Sequence, residues 1–189
     1  MITILIKSAL NFSHDILKQT TQTGDYVIDA TMGNGHDTKF LAEIVGQKGK
    51  VFSFDIQDLA INNTKKLLKE NSIDNVDIIK DSHSNFDKYI KHNNIAAIIY
   101  NLGYLPGGDK SLITHPESTI ISINKGLKLL KKHGILILVI YYGHPGGQSE
   151  KDEVFKLTEN LNQKEFNVLK YEFINQNNEP PILIAIEKK

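Results

Sequence analysis

Four polar residues each close a strand-like run of this chain: Asp29 after Tyr26-Val27-Ile28, Asp55 after Val51-Phe52-Ser53-Phe54, Asp81 after a run beginning at Val76, and Asn101 after Ile95-Ala96-Ala97-Ile98-Ile99-Tyr100. A carboxylate or amide at the end of a buried strand is carried to the sheet edge where open α/β folds bind ligands. Asp29 opens the stretch Asp29-Ala30-Thr31-Met32-Gly33-Asn34-Gly35-His36-Asp37-Thr38, which reads as strand, glycine turn and helix. Gly33 and Gly35 let the backbone turn tightly and approach a ligand, and the helix start offers free N–H groups. Asp55, twenty residues beyond Gly35, is placed to bind ribose hydroxyls. Thr38 stands where G-x-G-x-x-G would put its third glycine, and a pyrophosphate cradle usually needs that glycine. Asp29 would repel a diphosphate and suit an ammonium. Both features favour S-adenosylmethionine over NAD, although a structural turn stays open on these residues alone.

Composition narrows the classes. The chain has 189 residues, with 22 basic and 22 acidic, and every basic one is lysine. This length suits one domain with a real core. A neutral total leaves an RNA partner open, because a local patch decides that. The absence of cysteine excludes disulfides, a thiolate nucleophile and zinc-thiolate sites. The seven histidines include no pair at metal-ligand spacing with a suitable carboxylate, so no metal is expected. Met1–Leu10 is too short and too interrupted for a membrane span or signal peptide; a soluble, cytoplasmic protein is expected.

The elements that must hold the four residues alternate in type. Residues 1–23 form an N-terminal extension, helical after Ser13 as N-cap, on a single domain spanning 1–189. Ile2–Ile6 is a short strand or an apolar helix start. Further helices are expected over Lys39–Val45, from Leu59 to Leu68, over Phe86–Lys91, from Pro116 to about Lys132, and over Glu150–Asn162. Strands are expected over Tyr26–Ile28, Lys50–Gln57, Val76–Ile79, Ile95–Tyr100, Gly134–Tyr142, Phe166–Ile174 and Ile182–Glu187, the last two pairing as an antiparallel hairpin. This predicts an α/β fold: a Rossmann-like class I S-adenosylmethionine methyltransferase, with a seven-stranded, mostly parallel sheet and a C-terminal antiparallel hairpin.

The chain also resembles the bacterial putative rRNA methylase family. The resemblance rests on the Asp29–Thr38 turn, Asp55-Ile56-Gln57, Asp81-Ser82-His83-Ser84, the Asn101–Lys110 loop, Gly143-His144-Pro145-Gly146-Gly147, and Phe173–Gln176 with Pro180-Pro181. Characterised members methylate the amino group of 5-aminomethyl-2-thiouridine in tRNA. The resemblance therefore implies methyl transfer from S-adenosylmethionine to the wobble nucleoside of the tRNA anticodon stem-loop, and a homodimer.

Roles follow for named residues. Asp29, Thr31, Gly33, Asn34, Gly35, Asp37 and Thr38 are expected at the methionine end, where Asp37 and Thr38 equally suit a helix cap. Asp55 and Gln57 are expected at the ribose. Asp81, Ser82 and His83 are expected near the adenine, with a local loop bond as the alternative for His83. Asn101 and Tyr104 are the expected reacting centre: the Asn101 side-chain and Leu102 backbone carbonyls would accept from the amine, and Tyr104 would stack on the uracil. Asp109 and His144 are the candidate bases. His14 and Asn11 are candidates to fold over the cofactor. A basic face of Lys110, Lys125, Lys128, Lys131 and Lys132 is the candidate phosphate contact, against the plainer reading of a solvated helix. Rival functions are methylation of rRNA or a small amine, and a silent RNA-binding protein of this fold.

Overall fold

The computed structural model describes residues 5–91, 94–108 and 113–189. Helix α1 (Ala9–Thr20) precedes β1 (Tyr26–Asp29), α2 (His36–Val45), β2 (Lys50–Asp55), α3 (Asp58–Glu70) and β3 (Val76–Lys80). A turn of 3₁₀ helix at His83–Asn85 leads to α4 (Phe86–Tyr89), β4 (Ile95–Leu102), α5 (Pro116–Leu129), β5 (Leu130–Ile140), α6 (Gly147–Glu159), β6 (Phe166–Tyr171) and β7 (Ile182–Lys188). The seven strands form one sheet in the order β3-β2-β1-β4-β5-β7-β6. All pairs are parallel except β5 with β7 and β6 with β7. This is the Rossmann-like architecture expected from the alternation.

Side chains alternate across the central strands, so each strand feeds two cores. Ile28, Ile98, Tyr100, Leu136 and Leu138 face Ile123 and Leu127 of α5 and Val154 of α6. Val27, Ala97, Ile99, Ile137 and Val139 face Leu17 of α1 and Leu41 and Val45 of α2. Strand β4 lies between β1 and β5, and Ile95–Tyr100 is wholly buried, which is why it reads as an unbroken apolar run. Each buried Ile or Leu contributes about 1.5–3 kcal/mol. The order reverses between β1 and β4, and a ligand crevice forms where strand order reverses.

Several boundaries differ from the sequence-based expectation. Ser8, not Ser13, caps α1: its hydroxyl accepts from the Asn11 N–H at 3.3 Å. Ser13 is buried inside the helix and donates to the Leu10 carbonyl. Most of the expected Ile2–Ile6 element lies outside the described residues. Helix α5 stops at Leu129 because Leu130 turns extended, and Lys131 and Lys132 belong to β5. Strand β6 ends at Tyr171, short of Ile174.

Candidate active site

The turn after β1 is built from beneath. Asp29 ends the strand with no exposure, accepting from the Thr38 hydroxyl at 2.6 Å and the Thr31 N–H at 3.2 Å. Thr38 in turn meets the Ser53 hydroxyl of β2 at 2.6 Å. Burial, then the negative Asp37, push the Asp29 carboxyl up to about 7 against the pull of these two hydrogen bonds. Gly35 starts α2 with φ +82°, and a Cβ there would lie 2.6 Å from the Thr64 hydroxyl. That hydroxyl donates to the Gly33 carbonyl at 3.2 Å.

Above this base opens a cavity of about 600 Å³, within the range of cofactor sites. Thr31, Gly33, Asn34, Asp37, Asp55, Gln57, Asp81, Ser82 and His83 line it, as do Asn101, Tyr104 and His144. Asp29, Gly35 and Thr38 do not. The Asp29 carboxyl and the Thr38 hydroxyl meet each other beneath the turn, and Gly35 packs on Thr64, so all three brace the lining from below.

The β2 and β3 ends form one wall. Asp55 accepts from the Gly33 N–H at 3.0 Å and the Gln57 N–H at 2.9 Å, one on each oxygen. It therefore fixes the turn while facing the cavity. Asp81 accepts from Ser82 N–H and Asn85 on one oxygen and from the Tyr89 hydroxyl on the other. Partial burial opposes its charge, but these hydrogen bonds outweigh that and hold its carboxyl below the usual range. Burial lowers His83 to about 4, so its ring is neutral; its buried Nδ1 has no partner among the described residues.

The β4 and β5 ends form the other wall. The Asn101 N–H donates to the Thr31 hydroxyl at 2.7 Å, and Asn101 Nδ2 donates to Asp37 Oδ2 at 2.7 Å. The Leu102 carbonyl, expected to face a substrate, accepts instead from the Tyr141 N–H at 2.9 Å, within the sheet's continuation. Tyr104 stands edge-on to His144, with centroids 5.7 Å apart. His144 Nδ1 lies 3.1 Å from the Pro145 carbonyl. A carbonyl only accepts, so Nδ1 carries a hydrogen, and in that tautomer Nε2 is the accepting nitrogen. That Nε2 is buried and unpartnered among the described residues. Asp109 and Lys110 lie outside the described residues.

Three contributions were not assigned from the sequence. Glu150, nearly unexposed, accepts from Thr114 at 2.5 Å and Thr119 at 2.6 Å, while Thr114 accepts from the Gly103 N–H at 3.0 Å. The loop after β4 is thereby tied to the first turns of α5 and α6. Tyr141 lines the cavity, its phenol raised by burial and by the Asp37 charge. Leu10 of α1 also lines it. No sequence pattern marks Thr114 and Glu150 as partners, because 36 residues separate them.

The expected basic face is not at this cavity. Lys125 donates to Asp87 and the Ser84 carbonyl. Lys131 and Lys132 lie at the start of β5, the sheet end opposite the site, where Lys131 pairs with Asp25 at 2.5 Å. Among the described residues lining the cavity there is no lysine, whereas Asp37, Asp55, Asp81 and Glu179 are acidic. Such a wall suits a cationic ligand and opposes a phosphate.

Comparison with known proteins places this geometry in a family. The sequence profile described as Putative rRNA methylase matches residues 51–187. The chain belongs to the Putative rRNA methylase family. A chloroplastic tRNA (mnm(5)s(2)U34)-methyltransferase of Arabidopsis thaliana is 33% identical, the match covering 97% of this chain and 70% of the plant protein. A putative rRNA-methylase of Clostridium thermocellum is 50% identical, with a TM-score of 0.96 over 98% of this chain and 100% of that one. A putative methyltransferase of Streptococcus mutans, solved in complex with SAH, is 41% identical, with a TM-score of 0.91 over 98% of this chain and 100% of that one. In this rRNA methylase family member no helix among the described residues is long and apolar enough to cross a membrane.

Proposed function

We propose that the protein is a cytoplasmic, S-adenosylmethionine-dependent N-methyltransferase that converts 5-aminomethyl-2-thiouridine to 5-methylaminomethyl-2-thiouridine at the wobble position of tRNA. The observation that carries this reading is the convergence of Asn101, Tyr104 and His144 on an acidic cavity with no lysine among its described lining residues. The names of the Arabidopsis and Streptococcus mutans relatives support donor and acceptor.

The lining fits the donor. S-adenosylmethionine is a phosphate-free cation, and Asp55 with Gln57 suits its ribose. Asn34 suits its amino-acid end, with the Asp37 charge behind it, and Asp81, Ser82 and neutral His83 suit the adenine. When bound, it supplies a methyl group on an electrophilic sulfonium.

The chain's own residues prepare the acceptor. An alkyl amine resembles lysine, with a pKa of ~10.4, and each unit of deprotonation against its pKa costs ~1.4 kcal/mol. The acidic wall favours the ammonium form. A proton acceptor is therefore needed, and the bare His144 Nε2 is the group for it; Asp109 is the second candidate. The Asn101 amide oxygen accepts an N–H of the amine and turns its lone pair inward. Tyr104 stacks on the uracil. In-line placement supplies much of the remaining rate.

Calorimetry with S-adenosylmethionine, followed by nucleoside mass spectrometry on tRNA carrying 5-aminomethyl-2-thiouridine, tests the reading. A saturable heat and one methyl gained on that nucleoside are expected. Binding without that gain would reject the acceptor, leaving rRNA or a small amine to be tried.

A further inference from the structure

An amide such as Asn101 has a donor end and an acceptor end of nearly equal shape, and which end faces a substrate decides whether it helps or hinders. Here the choice is made by a chain of contacts that begins outside the strands and turns of the cofactor wall. His14 of α1 stacks on Phe40 of α2, with centroids 4.1 Å apart and planes 17° from parallel. Its Nε2 lies 2.7 Å from Asp37 Oδ1. The other Asp37 oxygen accepts from Asn101 Nδ2, also at 2.7 Å, and the Asn101 backbone N–H is held by Thr31. A carboxylate only accepts. Asp37 therefore selects the Nδ2 end of Asn101, and the amide's remaining end is its oxygen.

We infer that His14 and Asp37 are positioning residues that hold the Asn101 amide with its oxygen available to an amine N–H, so that α1 is part of the catalytic apparatus. His14 fixes Asp37, Asp37 fixes Asn101, and the stack on Phe40 fixes the plane of His14. Its consequence for rate rests on the proposed amine methylation; its geometry does not. The side chain of Asp37 is 9% exposed and that of His14 is 25% exposed, so water competes little for the carboxylate.

Two measurements test this. The first is hydrogen exchange of the Asn101 side-chain NH₂, followed by NMR and assigned by its loss in Asn101→Ser. The His14→Ala protein should exchange it faster by about tenfold or more, the size expected of a weakened hydrogen bond to a charged group. The second is kinetics on the tRNA substrate. His14→Ala should lower kcat about tenfold, leaving the cofactor Kd and the tRNA KM near wild type. His14→Gln, whose amide nitrogen can reach the same Asp37 oxygen, should restore most of the loss. His14→Leu keeps bulk against Phe40 and carries the same test if His14→Ala does not fold. Unchanged exchange, unchanged kcat, or a loss of kcat matched by cofactor affinity would overturn the inference. Exchange needs no substrate: protection by His14 in a wild-type protein that does not methylate tRNA would refute the substrate reading and leave the clamp standing.

Discussion

The turn after β1 and the loops after β4 and β5 face each other across one cavity but are finished differently. In the turn, the polar side chains largely answer one another: Asp29 takes Thr38 and Thr31, Asp55 takes Gly33 and Gln57, and Asn34 takes Asn63. Beneath the loops, Glu150, Thr114 and Thr119 close the base, yet among the described residues His144 Nε2 has no partner and Tyr104 keeps 42% of its surface. A satisfied network is rigid, whereas an unpaired buried acceptor costs about 1–3 kcal/mol until something pairs with it. Under the proposed function the first region holds a donor of fixed shape. Under the same proposal the second is completed by the acceptor.

If that division holds, each side can be damaged separately. Asn101→Ala should lower transfer by about 10²–10³-fold while cofactor affinity, measured by calorimetry, stays within about twofold; an equal loss of both would erase the division. His144→Ala should cost about a hundredfold in kcat, and added imidazole should recover part of it. Glu150→Ala should cost about 1–3 kcal/mol of stability in denaturant unfolding, because it strands two threonine hydroxyls, and should weaken transfer more than cofactor binding. On the opposite side, Gly35→Ala should cost about 1–3 kcal/mol through overpacking on Thr64. It should weaken cofactor binding while leaving transfer at saturating cofactor close to wild type, and Thr64→Ala in the same chain should recover part of the loss.

A further effect concerns pH. Folded Asp29 keeps its proton up to about 7, whereas the ordinary carboxyl value is 3.8. The folded state thus binds more protons between these values, and stability falls as pH rises through that window. Asp29→Asn removes the charge and can still accept from the Thr31 N–H on its oxygen, while its Nδ2 can only donate toward the Thr38 hydroxyl. It should flatten the fall, read as unfolding free energies at about pH 5 and about pH 8.

The sheet was legible because Ile95–Tyr100 and Ile135–Ile140 are buried on both faces and carry no polar interruption. The end of α5 was not. Lys128–Lys132 continues a helical pattern, and only the extended backbone at Leu130 and its pairing with Ile95 reveal a strand start. The place of Asp55, Asn101, Tyr104 and His144 along the cavity was legible because strand ends and glycine loops mark the crevice. The burial of Asp29 was not legible: its type and position suit a ligand, but its carboxyl meets the Thr38 hydroxyl beneath the turn. The His14–Asp37–Asn101 chain could not be read in full. Its members lie 23 and 64 residues apart, and only the packing of α1 against β4 and β5 brings them together.

The most direct test of the account is to incubate the protein with total RNA and S-adenosylmethionine carrying an isotopically labelled methyl group, and then to locate the label by nucleoside mass spectrometry. The RNA should come from cells that leave 5-aminomethyl-2-thiouridine unmethylated. The account predicts label on the exocyclic nitrogen of that wobble nucleoside, and none when Asn101→Ala replaces the wild type. Label confined to rRNA, or on a ring or ribose atom, would contradict it.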